Sequence, residues 1–309
     1  FKTPYSAQWN LSIERQIAGG ISVQAAYVAN RGIGFFQILD GNLPLWAPNA
    51  SLTNVDSRRP IAGYGLIENL HSRARSWHDS FQLSADARRV KGLMTRLTYV
   101  YGKTTAVVEE DRGQGGDRPA NPLNADGEKA EVGNRQTARL FAIYDLPFLA
   151  GRQDLLGKTA GGWQMSGTLA AYSGRRLNVT LGQDWNFDGQ AGDRPDVTGA
   201  VRYPGGTKDQ RMAAYFDRSV FVNPSVRNAF GNLGRNAITG PGSFSASLAA
   251  LKNFRFSDQR YVQFRAEAYN FLNHNNLADP VTVMSSRDFG KILTRSGNRS
   301  MQLGLRFVF

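Results

Sequence analysis

Period-two alternation of apolar and polar residues returns along this chain, and the joins between alternating segments switch between very short and very long. The last segment is the clearest. Met301, Leu303, Leu305, Phe307 and Phe309 share one face, while Gln302, Gly304 and Arg306 point the other way. Val262, Phe264, Ala266 and Ala268 alternate likewise with Gln263, Arg265 and Glu267, and Phe81, Leu83, Ala85 and Ala87 with Gln82, Ser84, Asp86 and Arg88. Near the start, Trp9, Leu11 and Ile13 alternate with Gln8, Asn10, Ser12 and Glu14. The pattern predicts strands at about 6–17, 20–30, 64–89, 92–104, 135–147, 161–182, 242–256, 260–272 and 298–309. Residues 135–147 alternate poorly, because Leu140, Phe141, Ala142 and Ile143 are consecutive and apolar.

Ala18-Gly19-Gly20, Val90-Lys91-Gly92 and Ser257-Asp258-Gln259 read as tight hairpin turns, and the 148–160 join as a moderate one. Between them lie long segments at 31–63, 105–134, 183–241 and 273–297, rich in Gly, Pro, Asn and Asp. In an antiparallel meander every second join falls at the same end, so the short turns collect at one end and the long loops at the other. Outer-membrane barrels have that anatomy, with short periplasmic turns and long extracellular loops. Compact soluble domains rarely carry several such loops. Tyr99 and Tyr101 near a loop end, and Phe254 and Phe256 near a short turn, suit two interfacial aromatic girdles.

Composition agrees. No run approaches the roughly 18 apolar residues of a membrane-spanning helix, which says nothing against spanning strands. The net charge of +12 raises nucleic-acid binding, but the Lys and Arg are scattered without a dense basic run. No nucleic-acid partner is expected: the charge reads as a solvated basic surface, whose membrane version is basic loop residues facing phosphate-bearing lipid. With no Cys, a disulfide framework and a Cys-ligated metal are excluded. The predicted fold is all-β: an antiparallel transmembrane β-barrel of the bacterial outer membrane. About nine strands would leave open edges in lipid, where unpaired backbone groups are costly, so either strands escape this reading or the chain is a fragment; residues 1–309 are read as the C-terminal part of one larger barrel domain.

Several blocks carry a resemblance. Phe309, with apolar residues at alternate positions back to Met301, looks like the signal by which outer-membrane proteins are recognised for barrel insertion. Pro4-Tyr5-Ser6-Ala7-Gln8-Trp9-Asn10-Leu11-Ser12, Gly161-Gly162-Trp163-Gln164-Met165-Ser166-Gly167, Phe230-Gly231-Asn232-Leu233-Gly234-Arg235-Asn236 and Gln263-Phe264-Arg265-Ala266-Glu267-Ala268-Tyr269-Asn270 occur in the order seen in Oar-like TonB-dependent receptors, which the chain resembles. The resemblance implies a barrel of about 22 strands with a plugged lumen. It also implies a plug and an N-terminal domain outside this chain, and ligand uptake energised through the inner-membrane TonB complex by way of that plug. Barrel-assembly machinery, outer-membrane lipid and lipopolysaccharide are the other expected partners. The alternative is a non-transporting structural or adhesive barrel whose long loops bind partners.

No catalytic constellation is found, and no enzymatic activity is expected. His71, His78 and His274 are scattered, the seven-residue separation of the first two putting them on opposite faces of a strand. No serine lies in a G-x-S-x-G elbow, and glycine-rich 231–242 lacks the Lys-Ser/Thr pair of a phosphate loop. Asp184-Trp185-Asn186-Phe187-Asp188-Gly189 matches the opening of a D-x-N-x-D-G calcium loop, but position 12 is Pro195, with Asp193 and Asp196 beside it. Asp184, Asn186 and Asp188 are thus candidate ligands of a structural calcium, against a plain Asx-rich turn. Glu14, Asp86, Arg88, Arg96, Arg265, Glu267 and Arg306 are expected to face the lumen and to pair with one another and with a plug. Ligand choice is assigned to the long loops.

Overall fold

The structure is a computed structural model that describes residues 2–108, 118–149, 151–152, 154–257 and 259–309. Nine long strands run in chain order: β1 Tyr5–Ala18, β2 Ile21–Asp40, β3 Glu68–Val90, β4 Leu93–Ala106, β5 Gln136–Asp145, β6 Trp163–Tyr172, β7 Ser243–Arg255, β8 Tyr261–Tyr269 and β9 Ser300–Val308. Each pairs antiparallel with the next, so the sheet is a plain meander from β1 to β9, and Ala130–Val132 adds a short strand beside β4. The poorly alternating segment is a strand like the others.

The turns explain the register. Lys91 and Gly92 have φ of 49° and 85°, the two left-handed positions of a type I′ hairpin, whose twist matches that of the strands it joins. A side chain at Gly92 would also meet the Asp145 carbonyl at 2.8 Å. Gly20, at φ 83°, closes the β1–β2 hairpin. Residue 258 of the third predicted turn lies outside the described residues; Phe256 N–H and Ser257 N–H both donate to the Arg260 carbonyl around it. The moderate join contains α1, Leu155–Ala160, capped by Asp154, whose carboxylate accepts from Gly157 N–H at 2.9 Å.

The predicted boundaries need correction at the loop end, where the 260–272 strand stops at Tyr269 and the 92–104 strand runs to Ala106. Residues 31–40 are strand, not loop, because β2 runs to Asp40 and pairs with β3 back to Glu68 through irregularities at Ile33/Phe35 and Phe35/Phe36. Gly34, at φ 76°, is the bulge that lets the ladder continue. Residues 64–67 precede β3. Segment 161–182 ends as strand at Tyr172, after which the chain leaves the sheet. The 105–134 segment contributes Ala130–Val132 to the sheet, pairing with Thr104–Ala106; its residues 109–117 lie outside the described set.

The largest correction concerns the nature of the long segments. Residues 173–242 and 270–299 fold together around an apolar core of their own: Leu177, Val179, Tyr215, Phe216, Phe221, Leu233, Ile238, Phe289 and Ile292. Phe216, Phe221 and Phe289 meet edge to face with centroids 5.3–5.5 Å apart, the arrangement aromatic quadrupoles favour. α2, Lys208–Ala213, starts with a capping box between Thr207 and Gln210. Ile238–Thr239 pairs with Arg176–Leu177, and Phe221–Val222 with Asp196–Val197. This loop layer, not the sheet, holds most of the buried apolar side chains.

Candidate functional site

Residues directly opposite in a ladder share a face, so the registers sort the side chains of all nine strands. One face runs Val23–Ala85–Leu97–Leu140–Leu169–Ala246 across β2 to β7, and Leu248–Ala268–Met301 and Ala250–Ala266–Leu303 across β7 to β9. Leu11, Ile13, Leu83, Leu97 and Leu248 on it are exposed. Met301, Leu303, Leu305 and Phe307 lie there too, each more than 60% exposed on the edge strand β9, with Phe309 following it fully exposed. Water would penalise such a continuous apolar surface; hydrocarbon would not. Lys252 stands on this face near the turn end, and its ammonium donates to the Gly161 carbonyl, a snorkelling geometry.

The opposite face is polar. Glu14 opposes Gln24, Gln24 opposes Ser84, and Ser84 opposes Thr98; Asp86 opposes Arg96. Glu14, Gln24, Ser84, Asp86, Arg88 and Arg96 line one recess of about 380 Å³. Arg96 donates to Asp86 at 2.7 Å. On β8 and β9, Arg265 pairs with Glu267, Gln302 donates to Glu267, and Arg306 opposes Gln263. The seven charged residues singled out in the sequence are thus gathered on the polar side of one sheet. Arg139 joins them, opposite Thr98 and 5.6 Å from the Tyr172 ring centroid. It escaped notice because the apolar run beside it obscures the alternation of β5.

At the loop end the ion pairs become buried. Arg194 donates to both carboxylate oxygens of Glu128, at 2.8 and 2.6 Å, and to the Leu233 carbonyl, joining the 107–135 segment to the loop layer. Arg59 pairs with Asp40 at 2.9 Å and with Asp56, which hold its guanidinium charged against the burial that opposes it. Glu131 accepts from Arg135 and Arg176; their charges keep its carboxyl below the usual range although burial pushes the other way. Arg194–Glu128, Arg176–Glu131 and Arg59–Asp40 carry no motif, since their partners lie far apart in sequence.

The Asp184 turn is buried in this layer. Asp184 accepts from Asp188 N–H at 3.1 Å and Gly189 N–H at 2.8 Å, Asn186 Oδ1 from Asp188 N–H at 3.0 Å, and Asp188 from Gln190 N–H at 2.8 Å. Asp193, from beyond the motif, closes the turn by accepting from Trp185 and Asn186 N–H. Burial, reinforced by the Asp193 charge, pushes the Asp188 carboxyl up to about 7; burial pushes Asp193 up to about 6. These are the bonds of an Asx-rich turn, and among the described residues no group of three or more His, Cys, Asp and Glu is disposed to hold a metal ion.

The histidines do not converge. His78 bonds Thr104 and Ser80, His71 opposes Gln37 on the upper part of β3, and His274 meets the Phe244 ring edge-on at 5.6 Å. Asn270 Oδ1 accepts from His274 N–H, tying the end of β8 to its loop.

Comparison with known proteins agrees with this geometry. The family described as "Outer membrane beta barrel domain" matches residues 1–302. The outer membrane transporter YddB from Escherichia coli superposes with a TM-score of 0.56 at 14% identity, over 100% of this chain and 33% of that one. BauA, the ferric preacinetobactin receptor from Acinetobacter baumannii, superposes with a TM-score of 0.48 at 13% identity, over 98% of this chain and 29% of that one. The chain therefore spans about a third of the length of these solved structures. No curated protein matches it.

Proposed function

We propose that this chain, which belongs to the outer membrane beta barrel domain family and lies in the bacterial outer membrane, is the C-terminal part of the barrel of an Oar-like TonB-dependent receptor that takes up a ligand across that membrane. The observation that carries the reading is the division of the sheet into an exposed apolar face and a charged face, with the long segments at one end. The apolar face meets lipid. The charged face, with Glu14, Asp86, Arg88, Arg96, Arg265, Glu267 and Arg306, lines the lumen and meets a plug. β1 and β9 each keep one unpaired edge in the described sheet, and in lipid those edges demand further strands; the resemblance to TonB-dependent receptors is what implies about 22 in all. The loop layer selects the ligand, and the inner-membrane TonB complex, acting through the plug, drives its release inward. Barrel-assembly machinery reads β9, whose apolar face carries Met301, Leu303, Leu305 and Phe307.

The reading frame upstream of Phe1 tests this first. A signal peptide and a plug of ordinary size support it. Uptake by the full-length protein should also stop when inner-membrane energy coupling is deleted. A protein that assembles and works unchanged without that coupling favours the second reading, an adhesive barrel. The separately packed loop layer, with its own aromatic core, is what recommends that reading.

A further inference from the structure

The aromatic core of the loop layer is open on one side. Phe216, Phe221 and Phe289, the three rings that meet edge to face, form the floor of a pocket of about 790 Å³ between the 202–221 and 284–289 segments. Met284 and the exposed side chains of Arg202 and Arg218 line it as well. An apolar floor with a few polar groups beside it, at this volume, is the form of a small-molecule site. Arg218 is fixed in place. Its stem crosses Gly290, where a Cβ would stand 2.8 Å from Arg218 Cγ, and its Nη1 donates to the Phe289 carbonyl at 3.3 Å. Gly290, at φ 78°, thus supplies both a left-handed backbone and the room for the arginine. The backbone of Arg218 is held too, because Phe221 N–H donates to its carbonyl at 3.2 Å. Asp217, the one acid of the lining, is engaged by Ser219, whose N–H and hydroxyl donate to it at 2.9 and 2.7 Å. The rest of the Arg218 fork makes no hydrogen bond among the described residues.

We propose that this pocket binds a small organic acid: a flat, apolar body that rests on Phe216, Phe221 and Phe289, and a carboxylate that Arg218 holds through its free N–H groups. The inference rests on the reading of the loop layer as the part that selects a ligand, and it names the ligand's class. Edge-to-face and offset contacts suit an aromatic body on such a floor. Met284, unbranched and polarizable, adapts to the outline of a ring. The planar guanidinium matches a carboxylate through two parallel N–H···O bonds, which a neutral amide of the same shape cannot accept equally. Recognition depends on one placed fork and its aromatic floor, not on a summed charge. No lining residue adjoins, in sequence, a residue outside the described set.

The test uses the full-length protein in detergent and saturation-transfer NMR, which reads weak ligands. The probes are N-acetylphenylalanine, its C-terminal amide and N-acetylalanine. The parent should bind the acid about tenfold more tightly than the amide, the difference one charge-assisted contact makes, and should not bind N-acetylalanine. Arg218→Gln should weaken the acid about tenfold and leave the amide where it was, so that the preference for the acid disappears. Ala214→Glu, at an exposed residue of the lining, should weaken the acid alone by setting a like charge beside it, and serves if Arg218→Gln does not assemble. Lys158→Gln, on α1, should change nothing. Heat-modifiable migration reports whether each barrel has formed, and hydrogen exchange should slow at 217–221 and 284–290 when the acid is added. No binding by the folded parent, equal binding of acid and amide, protection confined to other segments, or folded variants that keep the parent's preference overturns the proposal. A protein that binds the acid but works unchanged without energy coupling keeps the pocket and loses the transport reading; one that transports but binds none of the probes loses the pocket alone.

Discussion

Asp188 sits where burial and a neighbouring carboxylate both oppose its charge, and this has a measurable consequence. Its folded-state pKa, about 7, and that of Asp193, about 6, both lie above the ordinary carboxylate value. The stabilisation from their protonated forms is therefore fully present below the unfolded pKa and is lost as pH rises through about 6 to 7. Hydrogen exchange of the 184–193 amides, corrected for intrinsic rates, should show stronger protection at pH 5 than at pH 8, and Asp188→Asn should flatten that difference. Calcium titration decides between the two readings of the turn. A cation shared by Asp184, Asn186 and Asp188 moves the transition to lower pH and EDTA restores it; an unchanged profile in millimolar calcium leaves the turn to its hydrogen bonds. Arg194 and Glu128 make a second residue-scale case. Glu128→Gln leaves a buried guanidinium without its counter-charge, which costs about 3–5 kcal/mol. Limited proteolysis should find the 118–135 and 190–235 segments newly cleavable, with the strands still resistant.

At the scale of the element, the two faces of a strand should answer the same substitution differently. Leu303→Arg puts a charge on the apolar face of β9 and should cost about 2–4 kcal/mol if it falls near the bilayer midplane, less toward either rim. Gln302→Arg, one residue back, points to the polar face opposite the Glu267 carboxylate and should be tolerated. Denaturant titration of the folded, heat-modifiable band in the two variants makes the comparison; equal losses would sink the assignment of faces. The bulge at Gly34 acts at this scale too. It keeps β2 and β3 paired well beyond the roughly nine to eleven residues a tilted spanning strand needs, lifting a two-stranded arm to the level of the loop layer.

For the whole molecule, the open edges of β1 and β9 set the question. Cysteines replacing Gln8 and Gln302 in the full-length, membrane-assembled protein should not cross-link if the strands of a larger barrel stand between these edges. Efficient cross-linking would mean that the nine strands close on themselves. The loop layer is the other whole-molecule feature. Because it is tied to the sheet by Arg176–Glu131, to the turn before the Ala130–Val132 strand by Arg194–Glu128, and filled by its own phenylalanines, it should move as a unit, not as independent loops.

Alternation by itself determined the sheet: the strand count, the meander order, the two faces and the gathering of Glu14, Asp86, Arg96, Arg265 and Glu267 on one of them. These follow from a two-residue period and from hairpin turns such as Lys91-Gly92, which are local properties a sequence displays directly. Tertiary structure alone decided what the long segments are. Phe216, Phe221 and Phe289 come from two segments separated by β7 and β8, and no periodicity announces their meeting. The turn from Asp184 to Gly189 was legible there, while the Thr207–Gln210 capping box that starts α2 went unread. The same holds for the Arg194–Glu128 pair, 66 residues apart. Strands are specified by neighbours along the chain. Cores, buried pairs and cavities are specified by neighbours in space, and those exist only once the sheet has brought its loops to one end.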